Sequence, residues 1–299
     1  MLDELTRFSF TEYHMGIDAR IVVYATNREK AEEACIAAFA RIAELDEIMS
    51  DYRRDSELNN LCAQAGGPPA EVSSDLFKVL TKAQDVSARS KGAFDVTAGP
   101  LIRLWRSARK TRTLPSPEAI KSARKLIGYQ KMKLSPRDRM VQLKLKGMQL
   151  DLGGIAKGYA CDEAQKVLKK HGISHALVEM GGDLVVSAPP PGAKGWTVRV
   201  PNAGTDKGPA DLLFSNCAVS TSGDTEQYAV IGGVQYSHVV DPRTGKALTN
   251  RIQATIVAPN GLTSDPLSTT LTVLGPISRA RFLKSYPGLK CYIKSLKPK

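Results

Sequence analysis

Leu150-Asp151-Leu152-Gly153-Gly154-Ile155-Ala156-Lys157-Gly158-Tyr159-Ala160 is the stretch on which the reading of this chain turns. Upstream, Met140-Val141-Gln142-Leu143-Lys144-Leu145 alternates apolar and polar as a half-buried strand does. Lys146-Gly147 is turn material, and Met148, Leu150 and Leu152 resume the alternation. Downstream, Ala156, Tyr159, Ala160, Ala164, Val167 and Leu168 recur at helical spacing up to Gly172, a natural helix-ending residue. The expectation is a strand that ends in a diglycine from which a helix starts. Adjacent glycines let the backbone approach a ligand closely, and the N–H groups of a first helical turn suit an anion, with Lys157 adding a point charge. A plain strand-to-helix corner with an exposed lysine reads equally well from these residues alone.

The 299 residues, 42% of them hydrophobic, suffice for one large core, and the expected organisation is a single domain over 1–299. No uncharged apolar run reaches the roughly 18 to 20 residues that span a bilayer. The first residues carry neither a basic nor an apolar leader segment, so the chain reads as soluble, as would an exported protein stripped of its signal. A formal charge of +12 favours anionic partners. The cations are scattered, densest at Arg103, Arg106, Arg109, Lys110 and Arg112, and only 6% of residues are aromatic, so this run reads as solvated surface and no nucleic-acid partner is expected. The five cysteines are far apart and form no CxxC pair, and Cys35 and Cys161 read as small buried helix residues.

Phe8 to Thr11 and Arg20 to Tyr24 read as strands bracketing Tyr13-His14-Met15-Gly16-Ile17, and Asn27 caps a long helix with an apolar stripe from Ala31 to Met49. Ser50 to Asn59 is a polar loop with a short capped helix, or a binding loop offering Tyr52 as a stacking face. Ser74 starts a second helix closed by Gly92. After it, Asp95 and Thr97 in Phe94-Asp95-Val96-Thr97 could form an Asx-turn. Ser116-Pro117 starts a helix expected to end at Gly128.

His175 to Met180 reads as a strand ending in Gly181-Gly182-Asp183, and short strands follow at Trp196 to Val200, Leu212 to Phe214 and Ala218 to Ser220, the last opening into Thr221-Ser222-Gly223-Asp224. Tyr236 to Val240 precedes the turn Asp241-Pro242-Arg243-Thr244-Gly245. His238 is either hydrogen-bonded packing or a proton carrier beside a site. A strand at Ala254 to Ala258 leads to a helix opened by Thr263-Ser264-Asp265-Pro266. There Asp265 and Thr269, four apart, share a face that could offer Mg²⁺ two hard oxygens; an acidic first turn is the plainer reading.

Together and in this order, these segments from about Tyr13 to Gly275 resemble the FAD:protein FMN transferases, the ApbE-type flavin transferases. The resemblance implies a mixed α/β fold, two-lobed, with mixed sheets flanked by helices around a central FAD cleft. It implies Mg²⁺-dependent transfer of the FMN half of FAD to a Ser or Thr hydroxyl of an acceptor redox flavoprotein, with release of AMP. By position it places Met15, Tyr52, Ala93, Phe94, Asp95, Asp151, Lys157 and Val239 at FAD. It places the side chains of Asp265 and Thr269 and the carbonyl of Gly154 at the metal, and His238 at proton transfer. Ser268 stands where some members have a second metal-side Asp, and Ile17 where a Thr is frequent. The family's usual acceptors imply a cell-envelope or periplasmic location, with membrane association possible through a signal or lipid anchor that this chain does not display. An FAD pyrophosphatase with the same site, and a non-enzymatic FAD-binding protein, are the competing readings.

Overall fold

Two helices cross so closely in this protein that only glycine fits at the contact, and that crossing holds its elements in place. In a computed structural model, which describes residues 4–201, 203, 208–223 and 228–295, a side-chain carbon on Gly158 would lie 2.3 Å from the Gly261 carbonyl oxygen. The chain opens with a hairpin of β1 (Thr6–His14) and β2 (Ile17–Ala25), closed by Met15 and Gly16 at φ +50° and +80°, the left-handed pair that a twisted two-residue turn requires. Asn27 caps α1 (Arg28–Met49) by accepting from the Lys30 N–H at 2.9 Å, and Ser56 likewise caps α2 (Glu57–Ala63). After β3 (Ala70–Glu71) come α3 (Ser74–Ser90), α4 (Gly99–Thr111), α5 (Pro117–Lys125), β4 (Met132–Ser135) and β5 (Met140–Leu143). α5 stops three residues short of the expected Gly128.

The extended segment after β5 is not a strand. Met148, Leu150 and Leu152 are buried as their alternation implies, but their backbone bonds no neighbouring strand: Asp151 N–H goes to the Val96 carbonyl at 2.8 Å and Leu150 N–H to Cys62 Sγ at 3.2 Å. The alternation records a chain threading the core with side chains on either side. α6 (Ala156–Lys170) then runs to Gly172, where Gly172 and Ile173 N–H groups return to the Lys169 and Leu168 carbonyls.

The second half supplies most of the sheet: β6 (Ala176–Met180), β7 (Asp183–Val186), β8 (Trp196–Val200), β9 (Ala210–Phe214), β10 (Cys217–Ser222), β11 (Tyr228–Ile231), β12 (Val234–Ser237), β13 (Val240–Asp241), β14 (Lys246–Ala247) and β15 (Ile252–Ala258). α7 (Gly261–Val273), α8 (Pro276–Lys284) and β16 (Lys290–Ser295) follow. The main sheet has seven strands in the order β1-β2-β6-β7-β10-β15-β16, and every strand pairing among the described residues is antiparallel. The mixed α/β class therefore holds, while the expected mixed sheets are antiparallel ones. One face of the sheet, through Ala19, Ile21, Val23, Val178 and Ile256, packs on the helices as the main core. The other, through Val22, Leu177 and Val219, is covered by Trp196, Val200 and Phe214 of the β8–β9 hairpin. A separate apolar cluster of Leu101, Trp105, Ala123, Ile127, Ala229 and Val240 joins α4 and α5 to the late hairpins. No helix among the described residues is long and apolar enough to cross a membrane.

α7 starts at Gly261, capped by Asn260, so Asp265 and Pro266 lie inside the helix rather than in its first turn. The two crossing helices cap each other. Asp162 of α6 accepts from the N–H groups of Gly261 and Leu262 at 2.7 and 2.8 Å, and Asp265 of α7 accepts from Gly158 N–H at 3.1 Å. Gly158→Ala should therefore force the helices apart and cost roughly 3 kcal/mol of stability, read from urea unfolding midpoints; an unchanged midpoint would refute the tight crossing.

Candidate active site

The N-terminus of α6 opens into a cleft of about 1200 Å³ whose lining includes Met15, Tyr52, Ala93, Phe94, Asp95, Asp151, Gly154, Lys157, His238, Val239, Asp265 and Thr269. Residues spread over more than 250 positions are gathered because the α6–α7 crossing, the β1–β2 turn and the segment after β12 all end there. Ser268 alone of the expected set does not line it. Its hydroxyl donates to the Asp265 carbonyl at 2.8 Å and meets Ser222 Oγ at 2.7 Å, facing the sheet.

At the helix crossing, Lys157 forms an ion pair with Asp183, the carboxylate after the second diglycine. Burial works against the ammonium, but Asp183 and Asp265 outweigh it and raise its pKa. The expected isolated point charge is thus already paired. The expected anion site at the first turn of α6 is also largely used internally: Gly153 N–H goes to Asp151 Oδ1 at 2.9 Å, Ile155 and Ala156 N–H to the Leu152 carbonyl, and Gly158 N–H to Asp265. Burial and the neighbouring Asp183 push the Asp265 carboxyl up to about 7, against the pull of Lys157. Two carboxylates face one ammonium here, a formal excess of one negative charge.

That excess lies beside oxygen donors. Thr269 stands one helical turn beyond Asp265, and a side-chain carbon on Gly154 would come within 3.3 Å of Thr269 Oγ1, so the Gly154 backbone passes against that hydroxyl. Among the described residues no three His, Cys, Asp or Glu side chains cluster as a metal site. One carboxylate, one hydroxyl and a backbone carbonyl make a sparse all-oxygen set, which suits Mg²⁺ keeping several of its waters rather than a soft metal.

A second group of charges lines the cleft along α4. Arg106 of α4 binds Asp51, donates to Asp151 Oδ2 at 2.7 Å, and lies 4.4 Å below the Tyr52 ring centroid. One turn on, half-buried Arg109 also lines the cleft and has no ion pair among the described residues; burial and Arg106 lower its pKa. Both arginines belong to the basic run that reads in the sequence as solvated surface. Their i,i+3 spacing on one helical face was the available signal, and only the burial of Leu101 and Trp105 shows which face turns inward.

Asp95 caps the short turn at Val96–Ala98, accepting from Thr97 N–H at 2.9 Å, Thr97 Oγ1 at 2.6 Å and Tyr129 N–H at 2.8 Å. Its Asx-turn role is structural even though it edges the cleft. Burial raises its pKa against those hydrogen bonds. His238 sits half-buried between β12 and β13, the one histidine lining the cleft among the described residues. Ser222 also borders the cleft, 3.1 Å from Thr269 Oγ1, whereas Asp224 falls outside the described residues.

The sequence profile of the ApbE family matches residues 15–293. The chain belongs to the ApbE family. A relative named FAD:protein FMN transferase from Treponema pallidum is 31% identical, over 94% of this chain and 83% of that protein. One of the same name from Klebsiella pneumoniae is 30% identical, over 93% and 81%. Among solved structures, the apo form of the Pseudomonas stutzeri flavinyl transferase ApbE matches with a TM-score of 0.86 at 27% identity, covering 100% of this chain and 94% of that one. The ApbE protein of Thermotoga maritima matches at 0.85 and 27%, covering 98% and 97%.

In this ApbE-family chain the Tyr52 loop is held through Asp51 by the planar fork of Arg106, a geometry lysine does not reproduce. Arg106→Lys should cost about 2 kcal/mol and speed proteolytic nicking within residues 51–55; unchanged nicking would show that the loop is anchored elsewhere.

Proposed function

We propose that the chain transfers the FMN half of FAD to a Ser or Thr hydroxyl of an acceptor flavoprotein and releases AMP, with Mg²⁺ as cofactor. The observation that carries this reading is the meeting of Asp265, Thr269 and the Gly154 backbone beside the Lys157–Asp183 pair in one cleft. Asp265, Thr269 and the Gly154 carbonyl would hold the metal, and Asp183 and Lys157 would set the charge around it. When bound, Mg²⁺ neutralises oxygens of the diphosphate and so favours attack on phosphorus.

The chain's own residues supply position and proton handling. Met15, Ala93, Phe94 and Val239 give the cleft apolar surface for the flavin or adenine rings, and Tyr52 gives an exposed aromatic face. Arg109 gives a guanidinium for a polar or anionic edge of FAD. In the transfer the acceptor oxygen forms a bond to the phosphorus of the FMN half, the bridging P–O bond breaks, and AMP leaves with the bridging oxygen and its electron pair. The acceptor's proton passes to His238, whose imidazole nitrogen is the proton acceptor of this proposal. Holding hydroxyl, phosphorus and leaving group in line is the larger contribution, since transfer at a diphosphate asks for orientation and charge balance rather than covalent help. The expected cell-envelope location belongs to the same proposal.

Mass spectrometry of a candidate acceptor incubated with the protein, FAD and Mg²⁺ should show covalent flavin phosphate on Ser or Thr. Asp265→Ala should lower transfer by about a hundredfold or more while FAD still binds weakly. Full activity of that variant in metal-depleted buffer would overturn the metal assignment, and steady FAD hydrolysis without labelled acceptor would favour a pyrophosphatase.

A further inference from the structure

A second cavity of about 460 Å³ shares Asp95 and Pro242 with the cleft, and its rim is cationic: Lys91, Lys121, Arg124, Lys125 and Arg243 all line it. Asp95 is the one acid in that lining, and its carboxylate is consumed by Thr97 and Tyr129. Arg124 donates to the Arg243 carbonyl at 2.5 Å, and the Arg243 guanidinium is bound to Asp241 of its own turn. Lys91, Lys121 and Lys125 are exposed and form no ion pair among the described residues. The carbonyls at the end of α5, which would repel an anion, are themselves engaged: Lys131 Nζ donates to those of Lys125 and Ile127 at 2.7 and 2.9 Å. The bowl therefore presents three uncompensated ammonium groups over a floor that includes buried Ile127.

We propose that this bowl docks an acidic stretch of the acceptor polypeptide next to its modified hydroxyl, an inference that rests on the transferase reading above. Two features favour a polypeptide over a small anion. The free charges are on long, exposed lysines that attract carboxylates without fixing one geometry, and among the described residues lining the bowl no buried side-chain cations converge on a single point as a phosphate pocket demands. The bowl also adjoins the place where the acceptor must lie. Pro242, four residues beyond His238, lines both cavities, so a chain that places a hydroxyl beside His238 carries its flanking residues across Pro242 onto the lysines. Opposite charges at such a rim steer partner encounter and select among acceptors.

The test is fluorescence anisotropy of a labelled Asp/Glu-rich peptide containing one threonine, against its Asn/Gln counterpart, with the full-length protein and with a Lys121→Glu/Lys125→Glu variant. The wild type should bind the acidic peptide in a salt-sensitive manner and the neutral one weakly. The variant should lose about tenfold or more in affinity, and a Lys121→Gln/Lys125→Gln variant should fall between, with FAD binding unchanged in all three. Equal binding of the two peptides, or equal affinity of the variants, overturns the proposal. Displacement of the peptide by equimolar inorganic phosphate or AMP assigns the bowl to a small anion, tighter binding of a single-stranded oligonucleotide assigns it to nucleic acid, and either result overturns it as well. Failure of the wild type to release AMP from FAD with Mg²⁺ and any acceptor would instead sink the transferase reading, an outcome read separately from peptide binding.

Discussion

The contact between Gly158 and Gly261 is the constraint from which the rest of the site follows. Without side chains at the crossing, two helix N-termini come close enough for each to be capped by a carboxylate of the other, Asp162 in one direction and Asp265 in the opposite one. A helix start carries unsatisfied N–H groups and a partial positive charge, so burying two of them together would be unfavourable unless acids accompany them. The acid that caps α6 is also a proposed metal ligand. Its carboxylate is therefore oriented before any ion or substrate arrives, which is what a preorganised charge site requires.

Charge is balanced differently in two parts of the cleft. At the helix crossing, Asp183 and Asp265 outnumber Lys157, and the excess negative charge asks for a cation. At the α4 wall, Arg106 is spent on Asp51 and Asp151 while Arg109 keeps its charge for the cleft. The proposed dinucleotide, with a diphosphate between two ring systems, would be matched by such an arrangement once the proposed divalent ion joined the helix crossing. Binding the substrate and binding the ion are then favourable together and less so apart.

Local rules in the sequence revealed the elements they govern. Asn27, Ser56 and Ser116 cap the helices that follow them because a short polar side chain can satisfy an N–H two or three residues on without knowledge of the rest of the chain. Segments whose partners are distant were read less well. Met148 to Leu152 alternates like a strand, yet its bonds go to Val96 and Cys62, which no local pattern announces. Lys157 reads as a free cation because Asp183 is 26 residues away, and Arg106 and Arg109 read as surface because the Tyr52 loop that covers them lies more than 50 residues upstream. The residues grouped by the family resemblance lie along one cleft, Ser268 excepted, but the resemblance does not say that the first turn of α6 is capped from within the protein.

Ser268 shows how the hydroxyls behind the site fit this picture. β10 meets β15 and α7 through pairs of small polar side chains: buried Ser220 with Ser264 at 2.7 Å, and, part-buried, Thr221 with Thr255 at 2.9 Å and Ser222 with Ser268 at 2.7 Å. Such groups are tolerated in a core because each finds a partner, and their small volume lets α7 sit close on the sheet. The last pair also touches Thr269, so Ser222 links the sheet to a proposed metal ligand. A carboxylate at position 268 could not donate to the Asp265 carbonyl as the serine does, and it would add negative charge behind Asp265. With serine there, the proposed metal site would carry a lower charge and keep a more fully bonded backing, which would suit a hard, hydrated dication.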